Sequence, residues 1–224
     1  MVIILNKWDK TVNNYEFFEL PNLKVLKSKL PTDLHSIILK ECLEAQEKNK
    51  AFQTGLTGSG VPSHFKLEKT REDLFKFIAP LVNDYLNEHP NYMELYSILD
   101  DDLPFYLDEP WINLQEKHEF LPVHKHDGVL SYSIWIKVPY EKENERHQKK
   151  LKFNNQKFYS FQFSYNSVIG TQCQYDIEVE KKDEGTILLF PAQLNHLVYP
   201  FYTSDEYRIS ISGNVKLRTK QWKL

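Results

Sequence analysis

The sequence predicts an α+β fold, in which two helices pack beside an antiparallel β core. The first observation is a pair of apolar stripes at helical spacing, between residues 34 and 43 and between residues 74 and 86. The second is a change of pattern near residue 96, after which short β-rich runs follow one another without helical repeats between them. Turn signals such as Asp127-Gly128 and Glu184-Gly185 separate these runs, which is typical of a sandwich or a barrel.

The two predicted helices have recognisable beginnings. Thr32 is placed to cap the first helix, and Thr70 opens the second, with Asp73 three positions later where a capping box carries an acidic residue. Pro80 interrupts the apolar stripe of the second helix and indicates a kink rather than an end. Between the helices, the glycine-rich stretch Gln53–His64 predicts an exposed loop.

The β-rich part of the chain is predicted to contain seven strands. They lie at Trp111–Gln115, Val129–Val138, Phe158–Tyr165, Tyr175–Val179, Thr186–Phe190, His196–Tyr199 and Arg208–Val215. The charged stretch Glu141–Lys152 is predicted to be a solvated connection. With 224 residues the chain favours a single domain over residues 1–224. Residues 1–100 would supply strands and supporting helices, and residues 101–224 the β core.

Composition restricts the partners and the location. A formal charge of −3 gives no electrostatic reason to expect nucleic acid or an anionic membrane as the main partner. The opening MVIILNKWDK has an apolar run too short for a signal peptide or a membrane span. Cys42 and Cys173 lie far apart in the sequence, which favours free thiols in a reducing compartment. These features predict a cytoplasmic protein.

The stretch LPVHKHDG carries two histidines in a pattern suited to a metal. Alternate residues of a strand share one face and lie about 6.6 Å apart, so His124 and His126 can converge on one ion while Lys125 points away. His196, at the edge of another predicted strand, is the candidate for a third ligand. The alternative for an isolated pair of this kind is a surface role at a strand end.

A second unusual feature is the strand RISISGN, which alternates polar and apolar residues. Arg208, Ser210 and Ser212 share one face, and Ile209 and Ile211 share the other. A buried arginine needs an anion as its partner, so this pattern indicates either an anion site or an outer face with Arg208 in water.

These residues resemble the Fe(II)/2-oxoglutarate-dependent oxygenases, and most closely the branch found in phages and bacteria. The likeness rests on WINLQEKHEFLPVHKHDGVLSYSIWIKVP, GTILLFPAQLNHLVYPF and YRISISGNV, which occur in the expected order and cover about half of the chain. The helices before Asp100 are only weakly comparable. The resemblance implies a double-stranded β-helix, a jelly roll with N-terminal helices supporting one sheet.

The resemblance also implies a ligand set for Fe(II). His124 occupies the first ligand position and His196 the last. The wider superfamily has a carboxylate at the middle position of an HxD motif, whereas this chain has His126 there and Asp127 one residue later. The branch it resembles shows HxH, which favours His126. Asp127 remains the alternative if the strand breaks at Asp127-Gly128.

For the cosubstrate, the resemblance implies that 2-oxoglutarate chelates the iron and that its distal carboxylate pairs with Arg208, assisted by Ser210 or Tyr132. Decarboxylation to succinate would then be coupled to hydroxylation of a protein side chain, a nucleobase or a small metabolite, of which charge disfavours the nucleobase. Asn113 is a candidate for the pocket, and Trp111 is expected to pack in the core. The resemblance would place a phage-encoded chain in the host cytoplasm.

Two rival functions follow from the same residues. Jelly rolls also serve as structural and binding modules, but such a module has no reason to keep His124, His196 and Arg208 together. A three-histidine cupin dioxygenase that does not use 2-oxoglutarate suits HxH, but it leaves Arg208 in need of another anion.

Overall fold

The computed structural model describes residue 16 and residues 22–48, 63–96, 104–147 and 158–218 of the chain. Two long helices, α1 (Thr32–Lys48) and α2 (Arg71–Glu88), cover one side of a β structure. A third helix, α3 (Lys142–Arg146), is short. The described part of the chain contains no helix whose length and hydropathy would allow it to cross a bilayer.

Eleven strands form two antiparallel sheets in the described residues. The larger sheet contains β1 (Leu26–Lys29), β2 (Ser63–Lys66), β3 (Phe105–Leu107), β4 (Trp111–Gln115), β6 (Leu130–Lys137), β9 (Thr186–Pro191) and β11 (Arg208–Leu217). The smaller sheet contains β5 (Leu121–His124), β7 (Ser160–Asn166), β8 (Gln172–Glu178) and β10 (Asn195–Val198). The order of the larger sheet is β1-β9-β6-β11-β4-β2, with β3 paired to the end of β11, and that of the smaller sheet is β5-β10-β7-β8.

Each face of the larger sheet has its own core, because its strands alternate strictly. Ile112, Ile134 and Ile211 point towards the helices and pack with Ile38 and Ile78 in a first buried cluster. On the opposite face, Trp135, Leu188 and Phe190 meet Phe161 and Phe163 of the smaller sheet in a second cluster. The two sheets therefore face each other, and the helices support the larger one from outside, as the predicted α+β class requires.

The seven predicted strands are all present, with ends within three residues of the predicted ones. α2 runs through Pro80 without a break, which confirms that this proline does not end the helix. Two predictions were wrong in part. The loop prediction extended to His64, but Ser63–Lys66 pairs with β4 as a strand; the glycine-rich part before it lies outside the described residues. The solvated connection contains α3, whose Glu145 is fully buried.

The start of α2 is also built differently from the predicted capping box. Thr70 makes no side-chain cap to its own helix. Instead, Glu41 of α1 accepts hydrogen bonds from the backbone N–H groups of Glu68, Lys69 and Thr70, at 2.7, 2.7 and 2.8 Å. A carboxylate at the N-terminus of a helix is favourable for its unpaired N–H groups and its dipole. Glu41 thereby joins the two helices that support the sheet.

Candidate metal and cosubstrate site

Three histidines meet at the open end of the space between the two sheets. β5 and β10 pair antiparallel in a register that sets His196 opposite His124, and their ring centroids are 4.2 Å apart. His126 lies two residues beyond β5. One ring nitrogen from each of the three lies within 4.8 Å of the others. Ligand bonds of about 2.0–2.2 Å to one ion therefore require only small movements of the rings.

His126 reaches this cluster by a different route from the predicted one. Strand alternation was the argument for placing it beside His124, but β5 ends at His124. The backbone N–H of His126 instead donates to the carbonyl of Ala192 at 2.9 Å, and Gln193 Nε2 donates to the carbonyl of His126 at 3.3 Å. The turn between β9 and β10 thus holds His126 against His196, with 3.2 Å between their Nε2 atoms.

Two of the imidazoles are oriented by the same local contact. His124 Nδ1 is 2.8 Å from the carbonyl oxygen of Pro122, and His196 Nδ1 is 3.0 Å from that of Leu194. A carbonyl accepts only, so each Nδ1 carries the proton and each Nε2 remains available as a ligand. In both cases the carbonyl belongs to the residue two positions before the histidine.

The electrostatics of the cluster also suit a metal. Burial, followed by the neighbouring His124 charge, lowers the pKa of His126 to about 4. Burial and the two other histidines hold the pKa of His196 well below its ordinary value, and burial lowers that of His124. All three rings are therefore neutral near pH 7, which is the form that binds a metal. This donor set fits a divalent transition metal such as Fe(II).

Asp127 is not part of the three-histidine cluster, although it lines the same cavity together with Lys125. Gly128, the next residue, has a φ of +106° and lies so close to β11 that a Cβ would be 2.6 Å from the carbonyl oxygen of Val215. Glycine is required there on both counts. The turn Asp127-Gly128 leads the chain from the smaller sheet into β6 of the larger one.

A cavity of about 440 Å³ extends from the histidines across the inner face of the larger sheet. Its walls include the predicted residues Asn113 and Ser210, together with Ser212 and Gln115. Asn113 Nδ2 donates to Ser210 Oγ at 3.3 Å and to Ser212 Oγ at 3.1 Å. A cavity of this size, lined by polar side chains together with aromatic and aliphatic ones such as Phe161, Phe190 and Val198, is suited to a small molecule with polar groups.

Arg208 lies behind Gln115, outside the cavity lining, and is only 3% exposed. Its Nε and Nη2 both donate to Gln115 Oε1, at 3.0 and 2.5 Å. Nη1 donates to Tyr140 Oη at 2.8 Å, and Nη2 to the carbonyl of Tyr199 at 2.7 Å. No described carboxylate forms an ion pair with it, so the cation has only neutral acceptors. A buried guanidinium in that condition fits an anionic ligand such as a dicarboxylate.

Tyr132, the expected assistant of Arg208, has a side chain directed towards the helices. It shares a face of β6 with Leu130 and Ile134, so its side chain packs in the helix-side cluster and not with Ser131 and Ser133. Its hydroxyl is buried without a partner, directly over Gly213, where a Cβ would be 2.2 Å away. Tyr132 nevertheless contributes to the lining of the cavity. The tyrosine hydroxyl in contact with Arg208 is that of Tyr140.

Two further residues line the cavity unexpectedly. Trp111 was expected in the core, but it is half-buried and lies beside His126, with ring centroids 5.5 Å apart. His64, which the sequence predicts at the end of an exposed loop, is buried on the inner face of β2, opposite Asn113 of β4. Burial and His124 lower the pKa of His64. A histidine next to a glycine-rich stretch gives no signal in the sequence that distinguishes it from a loop residue.

Comparison with known proteins agrees with this arrangement. Residues 109–214 match the model of a family described as "Putative 2OG-Fe(II) oxygenase". The match includes all three histidines, Asn113 and Arg208. No curated protein matches the sequence.

Solved structures of similar shape come from several organisms. A prolyl-4-hydroxylase from Pseudomonas putida is 16% identical, with a TM-score of 0.55 over 87% of this chain and 92% of that one. A viral collagen prolyl hydroxylase from Paramecium bursaria Chlorella virus-1 is 11% identical, with a TM-score of 0.50 over 88% and 96%. The carbocyclase SnoK of nogalamycin biosynthesis is 11% identical, with a TM-score of 0.54 over 86% and 79%. At such identities the likeness concerns the fold, and it confirms the predicted double-stranded β-helix.

Proposed function

Residues 109–214 belong to the 2OG-Fe(II) oxygenase family, and on that premise we propose that this enzyme hydroxylates a C–H bond of its substrate at the three-histidine site. As a 2-oxoglutarate-dependent dioxygenase it uses Fe(II) and 2-oxoglutarate. The family match decides against both rivals, the non-catalytic jelly roll and the cupin dioxygenase without 2-oxoglutarate. Together the metal and cosubstrate supply the oxidising power by which O2 and 2-oxoglutarate yield succinate, carbon dioxide and one hydroxyl group on the substrate.

We assign the metal to His124, His126 and His196. Their ring nitrogens lie within 4.8 Å of one another, and the three neutral rings need lose no proton before they bind. The contacts of His124 with Pro122 and of His196 with Leu194 fix the tautomer that presents Nε2.

We assign the distal carboxylate of 2-oxoglutarate to Arg208. This guanidinium is buried directly behind Gln115, which lines the cavity, and a planar fork suits a carboxylate better than an ammonium would. Since Gln115 Oε1 accepts two of its N–H groups, the carboxylate has to take over these donors from the amide. Ser210 and Asn113, which line the cavity, add neutral hydrogen bonds to the cosubstrate.

The observation that carries this proposal is that three neutral imidazoles and Gln115 line one cavity, and that Gln115 covers a buried arginine with no described carboxylate partner. The test is a measurement of succinate and ¹⁴CO2 from 1-¹⁴C-labelled 2-oxoglutarate, with Fe(II), ascorbate and O2. We expect slow uncoupled turnover in the wild type and none in His196→Ala. If the wild type binds Fe(II) and 2-oxoglutarate but its turnover does not exceed that of His196→Ala, the proposed activity is wrong.

The identity of the middle ligand has its own test. Co(II) titration of His126→Ala should show a large loss of affinity, whereas Asp127→Ala should bind nearly as the wild type does. The reverse result would move the middle ligand to Asp127 and give a site with two histidines and one carboxylate.

The substrate class follows less directly. Prolyl hydroxylases are among the proteins of similar shape, so a prolyl peptide is the first candidate to add to the turnover assay. We also propose a single domain, since β1 and β2 from the first hundred residues pair with β9 and β4 of the later part. A cytoplasmic location is supported by Cys42 and Cys173, both of which are free thiols.

A further inference from the structure

We propose that Trp111 is a positioning residue for the metal ligand His126, an inference that rests on the proposed metal site. His124 and His196 each donate a hydrogen bond from Nδ1 to a backbone carbonyl, whereas His126 makes no such bond in the described structure. Its ring nitrogen contact is with His196 Nε2, at 3.2 Å, which is the atom pair that would share the ion. Some other group must therefore set the plane of this ring.

The indole of Trp111 is in the position to do so. Its ring lies 5.5 Å from that of His126, at an interplanar angle of 23°. The His126 and His196 rings are parallel within 5°. An offset, nearly parallel pair is a favourable arrangement for aromatic rings, and it restricts rotation of the imidazole about its χ angles. Trp111 thus provides for His126 the orientation that Pro122 and Leu194 provide for the other two ligands.

Trp111 is itself held in place by the cavity wall. Its Nε1 donates to Asn113 Oδ1 at 3.1 Å, and Asn113 Nδ2 donates in turn to Ser210 Oγ and Ser212 Oγ. Trp111 also pairs with Ser212 in the register of β4 and β11. The plane of the indole is consequently fixed by the same strand that carries Arg208.

This connection has a chemical consequence. His126 lies on a turn, outside any strand, so its backbone alone does not define its ring as precisely as β10 defines that of His196. By packing against an indole anchored to β4 and β11, the middle ligand is tied to the larger sheet. Partners of metal-binding histidines typically change metal affinity 10–100-fold when they are removed.

The experiment measures Co(II) binding to the full chain without cosubstrate or substrate, through the visible spectrum of the bound ion. Trp111→Leu and Trp111→Met remove the ring, and we expect a Co(II) Kd raised about tenfold with a changed band shape, at the lower end of that range because no hydrogen bond is lost from the imidazole. Trp111→Phe keeps an aromatic face and should restore most of the affinity and the wild-type spectrum. Tyr106→Leu, at a partly exposed aromatic ring on β3 of the same sheet and outside the cavity lining, is the matched control and should leave both unchanged.

The result that overturns the inference is a wild-type Kd and spectrum in Trp111→Leu or Trp111→Met, with folding confirmed by circular dichroism. A Trp111→Phe variant as impaired as the leucine variant would also overturn it, because the donor to Asn113 and not the ring would then matter. A wild-type chain that binds no Co(II) would refute the metal site itself. The two failures are therefore distinguishable.

Discussion

Replacing Gln115 by leucine should tighten the binding of 2-oxoglutarate, although it removes a polar side chain from the cavity. In the structure, Gln115 Oε1 accepts from both Nε and Nη2 of Arg208, and it lies between the guanidinium and the cavity. If the distal carboxylate takes over these donors, the cost of breaking the amide contact is included in the measured Kd. Leucine has a similar size and cannot accept a hydrogen bond, so that cost disappears.

The magnitude follows from the kind of bond that is broken. A hydrogen bond to a charged group contributes about 1.5–3 kcal/mol, and the two donors share one acceptor, so we count one such contribution. At 1.4 kcal/mol for each factor of ten, the Kd of 2-oxoglutarate should fall about 10- to 150-fold. The ligand-free protein should lose stability by a similar amount, because a buried cation loses its acceptor.

The assay is isothermal titration calorimetry of 2-oxoglutarate into Mn(II)-loaded protein, in which turnover does not interfere. Gln115→Glu is the matched variant with the opposite expectation: a carboxylate at this position pairs with Arg208 permanently and should weaken cosubstrate binding. Weaker binding in Gln115→Leu, with Mn(II) affinity unchanged, would show that Gln115 is itself a ligand of 2-oxoglutarate and would refute the displacement.

Three further predictions concern the residues around the site. Arg208→Ala should raise the Kd of 2-oxoglutarate roughly 30-fold to several thousand-fold, with Co(II) binding nearly intact, because a buried charge-assisted contact is lost; calorimetry showing an unchanged Kd would remove Arg208 from the site. Tyr132→Phe should raise the free energy of unfolding by about 1–2 kcal/mol in urea, since it deletes a buried hydroxyl without a partner, and should not alter cosubstrate binding; a weaker affinity would return Tyr132 to the cosubstrate site. Glu145→Gln should lower the free energy of unfolding by about 1.5–3 kcal/mol, because the buried carboxylate accepts from the backbone of residues 202 and 203, whereas Glu143→Gln on the exposed side of α3 should change it by less than about 0.5 kcal/mol. Equal effects of the two glutamate changes would contradict the role assigned to the buried one.

The parts of the fold that the sequence predicts well are those governed by local alternation. β4 begins and ends at the predicted residues, and β11 begins at Arg208 as predicted, because apolar and polar residues alternate along both. β5 was missed: it has four residues, contains Pro122 and is half-exposed, so neither length nor pattern reveals it. β3 has only three residues, which is too short for an alternating pattern to reveal it.

Alternation along β6 also predicts the direction of the Tyr132 side chain. In Leu130–Lys137 the residues Leu130, Tyr132, Ile134 and Ile136 share a face, so the sequence already places Tyr132 with the apolar side and away from Ser131 and Ser133. Alternation could not reveal Gln115 as the partner of Arg208, since the two are 93 residues apart and meet only through the β4–β11 register. The same holds for His64, which reaches the cavity by pairing with β4.

The turn at Asp127-Gly128 helps to bring together histidines that are far apart in the sequence. His124 and His196 belong to the smaller sheet, and His126 lies at the crossing to the larger one, 70 residues before its neighbour His196. An ion bound by all three would connect parts of the native chain that are 70 residues apart, and unfolding would have to release it. Ion binding to the native state alone adds RT ln(1 + [ion]/Kd), about 2.7 kcal/mol at a hundredfold excess over Kd. The proposed catalytic ion would then also act as a reversible substitute for a disulfide in a chain whose two described cysteines are free.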